Sequence, residues 1–332
     1  MSDRVVPFGR SAVAALLAFG LAAGAAAIAR PAHAEAQLGQ DNFEPFPSMN
    51  LPYADKVLIN AVTKVGDHLV AVGSWGHILI SSDEGQTWRQ IQSPVNVTFT
   101  AVRFVDDKLG FITGHDAVIL RTEDGGDTWA LVEYDPELET PLFDVFMNDD
   151  KSGFAIGAYS LVVVTEDGGK SWSTKTMGDL DYHMNALTQA KDGKIWIAGE
   201  AGHVFVTDPQ LSELKVIETP YSGSFWNVLA LDDGSVLLMG LRGNVWRTTD
   251  QGESWSQSET GTISSIQFGR VLKDGRILLV GLEGTVLISK DGGKNFERIA
   301  REDRNALATA YETKDGKILL FGETGFAGAL TN

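Results

Sequence analysis

No cysteine occurs among the 332 residues. Disulfides, thiolate metal centres and cysteine nucleophiles are excluded, and the composition is compatible with an oxidising export compartment. Basic charge is scarce: 27 Lys and Arg stand against 44 Asp and Glu, a formal net charge of −17. A surface of that sign argues against nucleic acid and anionic lipid as general partners. The six histidines, at 33, 68, 77, 115, 183 and 203, include no pair at ligand spacing. No EF-type aspartate ladder and no Gly-x-Ser-x-Gly elbow is present. Neither a metal nor a small-molecule cofactor is expected, and no residue is marked as catalytic. Helical periodicity is missing after the first 34 residues, which disfavours a helical repeat.

Those first 34 residues read as a secretory signal. Arg4 and Arg10 precede an Ala/Leu-rich run from Ser11 to Ala29, and Ala32-His33-Ala34 forms a small-x-small cleavage site. The rival reading is an uncleaved membrane anchor, since the run approaches the length that spans a bilayer, although Arg30 closes it. Cleavage leaves 298 residues and makes the charge −19, because the signal carries three Arg and one Asp. The absence of a twin arginine favours the general secretory route. Export to the periplasm or an equivalent lumen is the expectation. Residues 35–58 then form an irregular segment with Pro45, Pro47 and Pro52, and residues 59–332 form the folded body.

What is abundant is repetition. Thr122 to Trp129 reads TEDGGDTW, Ser81 to Trp88 SSDEGQTW, Thr165 to Trp172 TEDGGKSW, Thr248 to Trp255 TTDQGESW and Ser289 to Phe296 SKDGGKNF. A worn sixth copy surrounds Asp208. The aspartates at 83, 124, 167, 208, 250 and 291 are 41, 43, 41, 42 and 41 residues apart. A constant period of that size denotes a solenoid, propeller or array. Each octet is a turn. Its aspartate (Asp83, Asp124, Asp167, Asp250, Asp291) accepts from backbone N–H groups just ahead. Its glycine (Gly85, Gly126, Gly169, Gly252, Gly293) supplies positive φ. Its aromatic (Trp88, Trp129, Trp172, Trp255, Phe296) opens the next strand and buries. A catalytic carboxylate is needed once, so five copies on one beat point to architecture.

A second marker keeps the same beat. Gly73 to Gly76, Gly114 to Ala117, Gly157 to Ser160, Gly199 to Gly202, Gly240 to Gly243, Gly281 to Gly284 and Gly322 to Gly325 each separate two short apolar strands. With strands on both sides and no helix following, this spacing is a hairpin turn and not a phosphate cradle. Asp106-Asp107, Asp149-Asp150, Asp192-Gly193, Asp233-Gly234, Asp274-Gly275 and Asp315-Gly316 mark a further set of hairpins. Four antiparallel strands in about 41 residues make a β-propeller blade. The chain holds seven units, the last with only three strands. The expected fold is an all-β, seven-bladed propeller whose last blade is closed by an N-terminal strand from within Asp41 to Val57.

The octets resemble Asp boxes, or BNR repeats, of sialidases and sortilin-type receptors. Taken with their spacing and the Gly-x-x-Gly turns, as in GLEGTVLISKDGGKNF (281–296), the units over about residues 45–330 look like the photosystem II stability and assembly factor family. That resemblance implies a luminal or periplasmic, non-enzymatic propeller that holds a subunit of a membrane-protein complex by an exposed segment. The enzyme alternative is a sialidase-like hydrolase or glycan binder. It requires an arginine trio and a Tyr–Glu pair. No Arg-Ile-Pro motif occurs, but Arg103, Arg242, Arg270 and Arg304 leave a cluster open. A further alternative is an accessory subunit of another envelope complex, such as a transporter.

Protein recognition is expected on the face that carries the Gly-x-x-Gly turns and the links between blades, where the repeat stops being uniform. The turns contribute Trp75, His115, Asp116, Tyr159, Glu200, Arg242, Glu283 and Glu323, and the links Tyr182, His183, Tyr221, Trp226 and Arg304. Aromatics and arginine among carboxylates suit a protein ligand. The structural alternative is that Trp75, Tyr159 and Trp226 pack between blades.

Overall fold

A computed structural model describes residues 45–178 and 180–330. The expected signal lies outside the described residues. In each unit, short apolar runs bounded by turn residues become strands paired only with their neighbours in sequence. The first blade is β1 (Ile59–Val65), β2 (His68–Gly73), β3 (Ile78–Ser81) and β4 (Arg89–Ile91). The second is β5 (Phe99–Phe104), β6 (Gly110–Gly114), β7 (Ile119–Thr122) and β8 (Ala130–Glu133). The third comprises β9 (Leu142–Met147), β10 (Gly153–Gly157), β11 (Val162–Thr165) and β12 (Ser173–Thr174). The fourth comprises β13 (Met184–Gln189), β14 (Ile195–Gly199), β15 (His203–Thr207) and β16 (Lys215–Glu218). β17 (Phe225–Ala230), β18 (Val236–Gly240), β19 (Val245–Thr248) and β20 (Ser256–Gln257) form the fifth. β21 (Ile266–Val271), β22 (Ile277–Gly281), β23 (Thr285–Ser289) and β24 (Glu297–Arg298) form the sixth. The seventh has β25 (Leu307–Glu312), β26 (Ile318–Gly322) and β27 (Gly325–Leu330).

Each blade's first strand contacts the first strand of the next, and β25 meets β1, so the seven close a ring. The second strands explain why the chain reads as near-continuous apolar runs. β18 (VLLMG), β22 (ILLVG) and β26 (ILLFG) are buried throughout, because neighbouring blades cover both faces. Fourth strands are only two to four residues long, which keeps each outer edge short.

All seven first strands share an irregularity. Register shifts between the first and third residues of each, for example Ile59/Ala61, Phe99/Ala101 and Phe225/Asn227. The second residue is bulged and lines the central channel: Asn60, Thr100, Phe143, Asn185, Trp226, Gln267 and Ala308. Three of these clasp the next blade. Asn60 donates to Phe99 O at 2.8 Å, Thr100 to Leu142 O at 2.6 Å and Asn185 to Phe225 O at 2.8 Å.

The aspartate turns behave as the repeat implies. In the second blade Asp124 accepts from Thr122 Oγ1 at 2.8 Å, from Thr128 N at 2.9 Å and from Thr128 Oγ1 at 2.6 Å. Thr122 Oγ1 in turn accepts from Gly126 N at 3.0 Å. The turn aromatic reaches the preceding blade: Trp172 lies edge-on to Phe111 at 6.0 Å, and Trp255 to Trp196 at 6.4 Å.

The turn glycine is needed on two counts, positive φ and closeness to the preceding blade. All five expected positions show the first: Gly85, Gly126, Gly169, Gly252 and Gly293 have φ of 85, 98, 73, 86 and 83. The second holds at four of the five. A Cβ would fall 2.4 Å from Leu319 at Gly85, 2.1 Å from the Phe111 ring at Gly169, 2.8 Å from Ile217 at Gly252 and 2.7 Å from Leu237 at Gly293. At Gly126 the nearest atom, on Val70, is 3.3 Å away.

Among the described residues the expected closing strand does not form. The seventh sheet has three strands, and residues 45–58 contribute none to it; Asp41 to Glu44 lie outside the described residues. Pro45, Pro47 and Pro52 remove the amide donors that a ladder needs. The segment instead follows the rim of the first blade, where Ser48 N donates to Ser93 O at 3.0 Å and Leu51 N to Gln90 Oε1 at 2.9 Å. It then makes a 3-10 turn at Ala54–Lys56 whose Ala54 packs with Leu319, Phe321 and Phe326. No helix of the described residues is long and apolar enough to cross a membrane.

Candidate functional site

The Gly-x-x-Gly turns and the blade links do occupy one face. The first residue after the leading glycine donates its N–H to the carbonyl just before the blade's own first strand, in all seven blades: Ser74 to Leu58, His115 to Thr98, Ala158 to Pro141, Glu200 to His183, Leu241 to Ser224, Leu282 to Ser265 and Glu323 to Ala306. Later in the turn, Gly76 N donates to Val97 O and Ser160 N to Tyr182 O, which ties the turn to the link leading onward. Backbone approaches so closely that a Cβ on Gly243 falls 2.0 Å from Thr262 O. The aspartate turns lie on the other face with the Asp-Asp turns, since Gly125 N donates to Lys108 O and Gly168 N to Lys151 O.

Six of the seven turns have two central residues at positive φ: Trp75-Gly76, Asp116-Ala117, Tyr159-Ser160, Ala201-Gly202, Arg242-Gly243 and Glu283-Gly284. Each is closed by a hydrogen bond across the turn, as from His77 N to Ser74 O at 3.1 Å and from Asn244 N to Leu241 O at 3.1 Å. This is the type I′ hairpin, whose first central position favours Asn, Asp or Gly. Here Trp75 has φ 60, Tyr159 φ 52 and Arg242 φ 56. A left-handed backbone costs an ordinary L-residue about 1 kcal/mol. Burial does not repay that: Trp75 is 62% and Tyr159 63% exposed, so neither is buried between blades, although one edge of the Tyr159 ring touches His183.

The predicted residues gather into two groups. Around blades three and four, the Tyr159 ring meets His183 edge-on at 4.8 Å, and Phe143 lies 6.1 Å from the same imidazole. Tyr182 lies against His203 at 4.2 Å. Across blades five and six, Arg242 and Glu283 share a cleft with Arg298 and Ile263, and Ile263 is 88% exposed. Glu283 also accepts from Arg304 Nη2 at 2.6 Å. Trp75, His115 and Asp116 belong to neither group. Trp226, expected in a blade link, is instead the second residue of β17, where the bulge turns it into the channel, 37% exposed.

Three predicted side chains are engaged within the scaffold. Glu200 accepts from His183 N at 3.0 Å and Glu323 from Ala306 N at 2.9 Å, so each carboxylate holds the start of its own blade. Tyr221 donates its hydroxyl to Leu241 O at 3.2 Å and stacks on Trp246. Ile263 and Phe143 were absent from the expected set, although a lone Ile in a polar link and a Phe at a bulge position are readable marks.

The channel separates the four arginines. Only Arg103 and Arg270 line it; Arg242 and Arg304 lie in a turn and a link. Arg103 is bound by Asp144 through bonds of 3.0 and 2.8 Å. The Coulomb attraction of that carboxylate raises the guanidinium pKa above its ordinary value. Arg270 lies 5.1 Å from the centre of the Tyr311 ring, and Glu312 accepts from Lys273 N at 2.7 Å. Three guanidiniums converging beside a free Tyr–Glu pair are not found among the described residues. Nor is any group of three metal-ligating side chains.

Known proteins share this architecture. The solved structure described as YCF48 bound to D1 peptide superposes with a TM-score of 0.66 at 18% identity, covering 86% of this chain and 94% of that one. YCF48 from Cyanidioschyzon merolae gives 0.68 at 16% identity, over 83% and 96%. The WD40 propeller domain of Doa1 gives 0.63 at 14% identity, over 84% and 93%. At such identities these likenesses speak for fold alone. The uncharacterized protein YkuO of Bacillus subtilis (strain 168) is 30% identical over 87 residues, 26% of this chain; the match spans only 29% of that protein. The family described as photosynthesis system II assembly factor YCF48 matches residues 38–141 and 133–276, well over half of the chain. With seven blades on one repeat and a matching sequence pattern, the chain belongs to the photosynthesis system II assembly factor YCF48 family.

Proposed function

We propose that the protein is a non-catalytic scaffold that takes an exposed segment of a membrane-protein subunit on its turn face and so assists assembly or stability of the complex. The observation that carries this reading is the outward placement of Trp75, Tyr159 and Arg242 on left-handed backbone that asparagine or glycine would adopt with less strain. Aromatic and arginine side chains of that exposure are the residue types that dominate protein interfaces. Family membership supports the reading, as does the likeness to a structure described as YCF48 bound to D1 peptide. The net charge of −17 favours a segment bearing basic residues. The reading includes export, with the work done in the periplasm or an equivalent lumen.

The test is co-purification from native membranes. The wild-type chain is expected to retain a membrane-complex subunit, and the triple variant Trp75→Asn, Tyr159→Asn, Arg242→Asn to lose it without loss of thermal stability. Undiminished retention by the triple variant contradicts the assignment of this face.

A further inference from the structure

Two arginines stand at one depth in the central channel. Arg103 is the fifth residue of β5 and Arg270 the fifth residue of β21, and both line a cavity of about 340 Å3 enclosed by the first strands. Their surroundings differ. Arg103 is matched by Asp144, whose side chain is 4% exposed. The Asp144 oxygens also accept from Val145 N at 2.9 Å and Leu187 N at 3.2 Å, so this carboxylate is fully occupied. Arg103 uses Nε and Nη2 in the pair, which leaves Nη1 over, and its side chain is half exposed to the channel.

Arg270 has no such partner. Its Nη1 donates to Ala310 O at 3.1 Å and the Tyr311 ring lies beneath it, but among the described residues no carboxylate comes within ion-pair distance. Burial pushes its pKa below the ordinary guanidinium value, and the positive charge of Arg103 adds in the same direction against the opposing pull of Tyr311 and Glu312. Two neutral side-chain amides, of Asn227 and Gln267, line the same cavity, and neither amide has a hydrogen-bond partner among the described residues. A chain with 44 carboxylates thus leaves an arginine in its central cavity without one, beside unused amide donors.

We propose that the channel binds one small oxyanion, of the phosphate or carboxylate class, through Arg270 with help from Arg103 Nη1, Asn227 and Gln267. A planar guanidinium suits such a ligand through paired, charge-assisted hydrogen bonds. The cavity volume admits a phosphate or a short dicarboxylate. The site stands apart from the turn face and from the proposed function, since it uses none of Trp75, Tyr159 or Arg242.

The test is calorimetric titration of the full chain, in chloride buffer, with inorganic phosphate and separately with succinate. One or both are expected to bind saturably at one site per chain, and the two arms show which oxyanion chemistry the channel favours. Arg270→Gln is expected to weaken binding at least about tenfold, and Arg270→Lys to restore part of it because charge returns without the planar fork. Gln267→Ala, a change on the channel wall, gives a second reading and is expected to weaken binding by about threefold. Arg242→Gln and Trp75→Asn are expected to leave it unchanged. Absence of saturable binding by either anion, or equal binding by wild type, Arg270→Gln and Gln267→Ala, overturns the proposal.

Discussion

Trp88 of the first blade meets Phe321 of the last edge to face, with ring centroids 5.7 Å apart and planes at 89°. This contact joins the two ends of the ring. It is the ring-closing instance of the contact that Trp172 makes with Phe111. Gly85 closes the same seam, with Leu319 of the last blade in the space a Cβ would need. Polar contacts accompany it: Lys314 N donates to Glu84 Oε2 at 2.9 Å and Lys314 Nζ lies 3.4 Å from Asp67. The seam is thus held by the same blade-to-blade packing as the rest of the ring.

Removing that wedge should be expensive. Trp88→Ala is expected to destabilise the protein by about 2–4 kcal/mol in urea unfolding, through lost burial and the cavity left behind. A double-mutant cycle with Phe321→Ala should return a coupling of about 0.5–1.5 kcal/mol, the range for an edge-to-face pair. Additive losses would mean that the two rings do not close the seam.

The indole nitrogens give a sharper contrast. Trp129 Nε1 donates to Gly126 O at 2.9 Å, whereas Trp88 Nε1 is buried without a partner. Trp129→Phe should therefore cost about 1 kcal/mol more than Trp88→Phe, because only the first breaks a hydrogen bond. Comparison of the two denaturation midpoints checks this.

The aspartate turns predict a graded series. Asp124 holds the Thr128 amide and both threonine hydroxyls, at 2.6 to 2.9 Å, while Asp208 in the worn copy accepts from Gln210 N and Ser212 N and has the Ser212 hydroxyl as its one hydroxyl partner. Asp124→Ala is expected to cost about 1–2 kcal/mol by analogy with lost helix caps, and Asp208→Ala clearly less. Equal losses would remove the hydroxyl bonds from the account.

The same carboxylates set an acid limit. Hydrogen bonds from Thr87, Ser171 and Ser254 hold the pKa values of Asp83, Asp167 and Asp250 at about 2, against 3.8 for a free Asp. A depressed folded-state pKa gives stability that is fully present above the unfolded value and is lost as pH falls through the folded one. The urea midpoint should hold steady above pH about 4 and decline towards pH about 2. The triple variant with Asn at the three positions should flatten that decline; an unchanged slope would assign it to other groups.

Stability and binding should part company on the turn face. Trp75→Asn, Tyr159→Asn and Arg242→Asn each replace a strained left-handed residue by one that tolerates the conformation. Each is expected to raise stability by about 0.5–1 kcal/mol while weakening partner retention. Loss of stability at all three would show that these side chains serve packing.

Much of this fold is legible in the sequence because the turns recur. Asp83, Asp124, Asp167, Asp250 and Asp291 mark one face and the Gly-x-x-Gly turns the other, and a period near 41 residues leaves room for seven blades. The positive φ of Gly85, Gly252 and Gly293 is legible too, but their closeness to Leu319, Ile217 and Leu237 is not, because it depends on how blades stack. The seam was not legible. Pro45, Pro47 and Pro52 speak against a strand, but the need to cover an edge argued for one, and packing at Trp88 and Phe321 cannot be read from spacing. In the candidate site, the exposure of Trp75 and Tyr159 turns on a left-handed backbone that residue identity hides. Glu200 and Glu323 stand among the expected recognition residues because their bonds to His183 N and Ala306 N run to residues 17 positions away, beyond what spacing reveals. Asp144, alone among the apolar residues of LFDVFM, was a signal that went unread.

The central claim is that biology uses the turn face and architecture the opposite one. Photo-crosslinking in native membranes tests it most directly, with the reactive side chain placed singly at Tyr159 or Arg242 and, on the opposite face, at exposed Asp127. The account predicts that the same membrane-complex subunit is captured from positions 159 and 242 and not from 127. Capture from position 127, with none from the turn face, would contradict it.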